Sequence, residues 1–102
     1  MGEVPYFEVD ANDFFEWDEG PIIDQESFYE RLYEFIDYNL NTNYRVTTLC
    51  YLVDPTGHVM EATLEEEGYY KSLQKCINYY TMVEEYEKCI KIKKLIDEYG
   101  LF

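Results

Sequence analysis

The chain has 102 residues, of which 47% are hydrophobic and 19% aromatic, so it is the size of one ordinary domain with enough apolar side chains for a single core. Its formal net charge of −14 argues against direct binding to nucleic acid or to an anionic membrane face, because both need basic patches. The sequence has no apolar stretch near ~18 residues and no signal-peptide pattern. We therefore expect a cytoplasmic protein, in the host cytoplasm if the chain is viral.

Acidic and aromatic residues dominate the first 23 positions. Phe7 and Val9 alternate with polar neighbours after Pro5, which predicts a short strand at the edge of a sheet. Residues 14–17, with the sequence FFEW, either return as a second strand or cover the core. Trp17 is accordingly either partly buried or the apolar centre of an interface that carboxylates surround.

A helix is predicted from about residue 25 to residue 40. Asp24 can cap its N-terminus, and apolar residues from Phe28 to Leu40 recur at the spacing of one buried stripe. Four acidic residues follow the opposite side of the same helix at intervals of four, four and three. This acidic ridge consists of Glu26, Glu30, Glu34 and Asp37.

The clearest local pattern is a β-hairpin in residues 44–64. Residues 44–53 are rich in β-branched and aromatic types, and residues 58–64 alternate between apolar and polar. The sequence DPTG at 54–57 fits a type I turn between them. Apolar side chains fall on both faces of the first strand, so we expect that strand to lie inside the sheet.

From residue 66 to residue 99 apolar residues recur at helical spacing and predict two packed antiparallel helices, with Gly100 as the stop signal. The first expected buried stripe is Tyr69 or Tyr70, Leu73, Ile77 and Tyr80, and the second is Val83, Tyr86, Cys89 or Ile90, Ile96 and Tyr99. All elements together predict an α+β domain: a small antiparallel sheet packed by one helix and a C-terminal helical hairpin.

The last helix, with the sequence EEYEKCIKIKKLIDEY at 84–99, resembles the UVR motif, a short helical hairpin of excision-repair subunits and of regulators of some chaperone ATPases. Residues 85–87 match the acidic-aromatic-Glu start of that motif, and residues 89–90 take the place of its small pair. Lys93 and Lys94 stand where the family has an Arg-Asp pair. The resemblance implies docking to another protein, through Tyr86, Ile90, Lys93 and Lys94.

No enzyme signature is present in the sequence. It has no Gly-rich phosphate loop, no GxSxG elbow and no pair of histidine ligands. The single histidine, His58, follows the predicted turn and is expected on the surface. Three widely spaced cysteines, Cys50, Cys76 and Cys89, are expected to pack in the core. We therefore expect no catalytic activity, no cofactor and no dedicated metal site.

Charge is the strongest functional signal. Residues 1–40 hold 12 acids against Arg31 alone, whereas residues 71–102 hold five acids and six lysines. Carboxylates one helical turn apart lie ~6 Å apart, comparable with the spacing of phosphates along a nucleic-acid strand. The chain is similar in size and charge to small acidic phage inhibitors, including some anti-restriction and anti-CRISPR proteins. This similarity implies an inhibitor that binds the basic surface of a nucleic-acid-binding protein. The residues expected to meet that partner are Asp10, Asp13, Glu16, Trp17, Asp18, Glu19, Glu26, Glu30, Glu34 and Asp37.

Two other interpretations remain open from the sequence. The chain can be an adaptor or a virion-associated structural protein that docks through its UVR-like C-terminal hairpin. Alternatively, the acidic surface only solvates the domain, as runs of a single charge usually do. The sequence leaves the oligomeric state open.

Overall fold

The computed structural model describes residues 4–10, 22–42 and 45–101. Residues 14–17, which are expected either to form a second strand or to cover the core, lie outside these residues, and Trp17 lies outside them too. In chain order the described elements are β1 (Tyr6–Glu8), α1 (Gln25–Asn41), β2 (Thr48–Val53), β3 (Val59–Thr63), a 3₁₀ helix (Glu66–Gly68), α2 (Tyr69–Met82) and α3 (Tyr86–Tyr99). They confirm the predicted α+β class.

The described strands form one sheet in the order β1-β2-β3, so the first strand of the hairpin lies inside it, as predicted. β2 and β3 pair antiparallel, but β1 pairs parallel with β2, with Phe7 opposite Leu52. The sheet is therefore mixed rather than purely antiparallel. The reason is the connection, because α1 carries the chain from the end of β1 back across the sheet before β2 begins. Phe7 and Val9 are buried and Tyr6 is exposed, in agreement with their predicted alternation.

The first strand of the hairpin begins at Thr48, later than the predicted start at residue 44. The buried side chain of Asn39 explains the difference. Its Nδ2 donates to the carbonyl of Val46 at 3.0 Å, and its Oδ1 accepts from the Val46 amide at 2.9 Å. Since both backbone groups of Val46 are bonded to a side chain of α1, they do not join the sheet ladder.

The turn between β2 and β3 is held by Asp54. The Gly57 amide donates to the Asp54 carbonyl at 3.0 Å, as a type I turn requires. The Asp54 carboxylate accepts from the Thr56 hydroxyl at 2.7 Å and from the His58 amide at 2.9 Å. The bond from the Thr56 hydroxyl is the main cause that lowers the pKa of Asp54 below its ordinary value. The His58 side chain is 84% exposed, as predicted.

α1 is capped by Asp24, whose carboxylate accepts from the Ser27 amide at 3.2 Å, and this confirms the predicted start of the helix. The predicted stripe is buried from Phe28 to Ile36, with Phe35 and Ile36 fully enclosed, whereas its last residue, Leu40, is half-buried. The side chain of Arg31, on the same helix, contacts the sheet: its Nε donates to the main-chain carbonyl of Leu49 at 2.8 Å. The helix is thereby tied to the central strand.

The connection from α2 to α3 turns through a residue in the left-handed conformation, Glu84, with φ of 62°. The Glu85 amide then donates to the Tyr80 carbonyl at 2.8 Å, which closes the end of α2. The second predicted stripe is wrong at its start, because Val83 and Tyr86 are exposed. The left-handed turn sets the rotation of α3, whose buried residues are Cys89, Ile92, Leu95 and Ile96.

Contacts of aromatic rings connect the sheet to the three described α-helices. Phe7 of β1 packs edge-on against Phe28 of α1, which meets Tyr29, and Tyr29 stacks on Tyr79 of α2 with ring centroids 4.6 Å apart. Tyr80 continues the series, and the Lys88 ammonium of α3 lies 5.0 Å from the centre of its ring. These contacts join β1 and the three described α-helices in one core, against which the half-buried Tyr79 packs.

Candidate functional site

The acidic ridge lies on the exposed side of α1. Glu26, Glu30 and Glu34 are exposed on successive turns, one turn apart. Asp37 differs from them, since it is half-buried and its carboxylate accepts from Nδ2 of Asn41 at 2.8 Å. Three of the four carboxylates are thus free to meet a partner from solvent, and the fourth has a bond within its own helix.

The other predicted partner residues come from the start of the chain. Asp10 is exposed just after β1. Val9, its neighbour, pairs with Ile22 in an isolated bridge, so the chain returns to the sheet two residues before the cap of α1. The remaining predicted residues lie outside the described part of the chain, and these are Asp13, Glu16, Trp17, Asp18 and Glu19.

A groove of about 320 Å³ runs between α1 and α3 beside the acidic ridge. Glu30 and Glu34 form one wall of the groove, and Lys88 and Lys91 form the other. Tyr33, Tyr80 and Ile92 complete the lining. Two of the ridge carboxylates therefore share a groove with two lysines from the C-terminal helical hairpin.

The two tyrosines that line this groove have raised pKa values. Burial raises the pKa of Tyr80 far above its ordinary value, and Cys76 and Glu30 act in the same direction. Burial also raises the pKa of Tyr33, with a smaller contribution from Asp37. Both phenols are therefore neutral at neutral pH, and the charge of the groove comes from its carboxylates and ammonium groups.

One of the two lysines already has partners. Lys88 lies 3.4 Å from a carboxylate oxygen of Glu85 and also packs on the ring of Tyr80. Among the described residues no ion pair joins Glu30 or Glu34 to Lys88 or Lys91. The two walls therefore hold opposite charges on either side of open space.

The residues of the alternative docking surface are exposed on α3. Tyr86 is 56% exposed and Ile90, one turn further along, is 54% exposed. Lys93 and Lys94 are exposed on the next turn. Met82 and Val83 add exposed apolar area where α2 ends. This surface lies on a different side of α3 from Lys88 and Lys91, which face the groove.

The three cysteines are buried and therefore poorly placed to act as nucleophiles. Burial raises the pKa of Cys50 to about 12 and that of Cys76 to about 12, and Cys89 is also buried. His58 has a carboxylate oxygen of Asp54 3.6 Å from its Nδ1, and its side chain is exposed. In the same part of the chain no group of three His, Cys, Asp or Glu residues could hold a metal ion, and no helix is long and apolar enough to cross a membrane.

The sequence predicted one wall of the groove and missed the other. Glu30 and Glu34 follow from their spacing on a single helix. Lys88, Lys91 and Tyr80 belong to the last third of the chain, and their meeting with α1 depends on how the helical hairpin packs. The excess of lysine in residues 71–102 was the one available signal that a basic surface exists.

Comparisons of the chain with protein-family models, with curated proteins and with solved structures find no match.

Proposed function

We propose that the protein is a non-enzymatic binding module whose acidic ridge binds a basic surface of a nucleic-acid-binding protein and inhibits it by occupying the place of the phosphate backbone. The observation that carries the proposal is the exposure of Glu26, Glu30 and Glu34 on successive turns of a helix that is well anchored on its other side. Their spacing of ~6 Å suits a cleft that normally holds phosphates.

The anchoring of α1 supports this role. Binding through charges gains most when the charges need no rearrangement before contact. Asp24 caps the helix, Arg31 ties it to β2, and its apolar stripe is enclosed. The three carboxylates are therefore presented on a rigid element.

The experiment replaces Glu26, Glu30 and Glu34 together by glutamine. Glutamine keeps the shape and the helix propensity of glutamate, so the fold is expected to persist. Reversal to lysine would be a poorer test, because new ammonium groups would face Lys88 and Lys91. Proteins retained by the wild-type chain at low salt are identified, purified and measured for direct binding and for competition with DNA or RNA.

For the triple variant we expect a loss of about 2 kcal/mol, roughly a 30-fold weaker Kd, since each exposed ion pair contributes up to about 1 kcal/mol. Wild-type binding should also weaken steeply as salt is raised. The matched control changes Glu65, Glu67 and Glu98 to glutamine, which removes the same charge at exposed sites that do not belong to the ridge. Equal affinity of the ridge variant and the control, or no competition by nucleic acid, would overturn the proposal.

A second candidate function rests on the exposure of Tyr86 and Ile90, two large apolar side chains one turn apart. In it the protein is an adaptor that docks through α3 to an apolar patch bordered by carboxylates, which Lys93 and Lys94 would meet. The variant that changes Tyr86 and Ile90 to serine separates the two functions. It should abolish docking of an adaptor and leave binding through the acidic ridge intact.

A further inference from the structure

We propose that the groove between α1 and α3 binds a small zwitterionic molecule with an apolar body, the chemistry of a free α-amino acid. This site goes beyond the acidic ridge, since it needs the lysine wall and the aromatic lining as well as two of the ridge carboxylates. Its residues come from three helices that the fold brings together.

The two walls of the groove carry the charges that a zwitterion needs. Glu30 and Glu34 are exposed on adjacent turns and suit an ammonium group, which can donate to both. Lys91 is exposed on the opposite wall and suits a carboxylate. Because no ion pair between described residues spans the groove, the two walls do not neutralise each other and a ligand can complete both charge pairs.

The lining suits an apolar body. Tyr80 and Ile92 are buried in the core with one side toward the groove, and Tyr33 is half-buried beside them. Since both phenols are neutral, they add no charge to the part of the groove between the walls. A volume of about 320 Å³ is at the small end of ligand pockets, which fits a molecule of amino-acid size better than a nucleotide or a folded partner.

Lys88 lines one end of the groove and already has partners there. Its ammonium is held by Glu85 at 3.4 Å and lies over the ring of Tyr80, so it shapes one end of the groove rather than supplying a free cation. The ligand carboxylate is therefore assigned to Lys91 and the ligand ammonium to Glu30 and Glu34. This orientation places the side chain of the ligand along Tyr33 and Ile92.

The test is a titration of the isolated full chain, followed by the amide signals of Glu30, Tyr33, Lys91 and Ile92 in NMR spectra. L-Phenylalanine, L-tyrosine and L-leucine are compared with L-phenylalaninamide and N-acetyl-L-phenylalanine, each of which lacks one charge. A pH of about 6 keeps every free amine protonated and every free carboxylate ionised. We expect at least one amino acid to saturate these signals below ~10 mM, and both blocked compounds to bind about 10-fold more weakly or worse.

Two matched pairs of variants locate the site. Lys91→Gln is expected to weaken amino-acid binding about 10-fold and Lys94→Gln to leave it unchanged, since Lys94 lies outside the groove. Glu34→Gln and Glu98→Gln test the contact to the ligand ammonium in the same way: the first is expected to weaken amino-acid binding about 10-fold and the second to leave it unchanged. No saturable shift with any of the three amino acids, equal binding of the blocked compounds, or equal effects within a pair would each overturn the proposal. The test needs no protein partner, so its failure is distinct from failure of the proposed inhibitor function.

Discussion

At the scale of single residues, Asn39 shows what periodicity alone does not reveal. It lies near the end of α1, where a polar residue is ordinary, yet its side chain is completely buried. Its side-chain amide bonds to both the amide and the carbonyl of Val46. Its main-chain carbonyl accepts from the Arg45 guanidinium at 2.5 Å. Asn39 therefore joins the end of α1 to the segment that leads into β2.

Replacement of Asn39 by alanine is expected to lower the free energy of unfolding by about 2–3 kcal/mol. The amide and the carbonyl of Val46 would both lose their partner in a part-buried place, and an unsatisfied buried group costs about 1–3 kcal/mol. Urea unfolding measures the change, provided that the slope of the free energy against urea concentration, the m value, is the same in both proteins. Asn78→Ala, at an exposed position on α2, should stay within about 0.5 kcal/mol of wild type. A loss below about 0.5 kcal/mol for Asn39→Ala would show that Asn39 is dispensable.

At the scale of elements, local signals predicted most of the fold. The cap at Asp24, the DPTG turn and the stop at Gly100 each fix one boundary through chemistry within a few residues. The parallel pairing of β1 with β2 and the rotation of α3 were not predictable in this way. The first depends on the path of a whole connection, and the second depends on Glu84, a residue type that rarely marks a left-handed turn.

Glu84 offers a direct test of that turn. A side chain at φ of 62° is strained by about 1–2 kcal/mol, and glycine relieves this at the cost of a more flexible unfolded chain. Glu84→Gly is therefore expected to raise the free energy of unfolding by about 0.5–1 kcal/mol. Glu84→Ala removes the same charge but keeps the Cβ atom, so it separates charge from conformation. If alanine stabilises as much as glycine in urea unfolding, the gain comes from charge and not from the backbone.

At the scale of the whole molecule, acidic residues are concentrated in the first part of the sequence and lysines in the last third. The acidic first 40 residues supply α1, and the lysine-rich last third supplies α2 and α3. Packing places part of each along one groove, with Glu30 and Glu34 opposite Lys88 and Lys91. Composition predicted the acidic surface and showed six lysines against five acids in residues 71–102. The groove that these glutamates and lysines share could not be predicted, because it arises from the packing of elements distant in sequence.

The net charge of −14 also makes the whole fold sensitive to salt. Folding concentrates like charges, and dissolved salt screens their repulsion over ~10 Å at 0.1 M. Raising NaCl from ~10 mM to ~300 mM is therefore expected to increase the free energy of unfolding by on the order of 1 kcal/mol. Urea unfolding at each salt concentration measures the gain.

The triple glutamine variant of the acidic ridge connects this prediction to the proposed function. It changes the net charge from −14 to −11 and removes two like-charged pairs at i, i+4, each of which destabilises a helix by about 0.2–0.5 kcal/mol. Its stability at low salt should therefore exceed that of wild type, and its gain from added salt should be smaller. Equal salt dependence of the two proteins would mean that Lys88 and Lys91 already compensate the ridge within the folded chain. A variant that is more stable and no longer binds a basic partner would show that the ridge is retained for binding at the expense of stability.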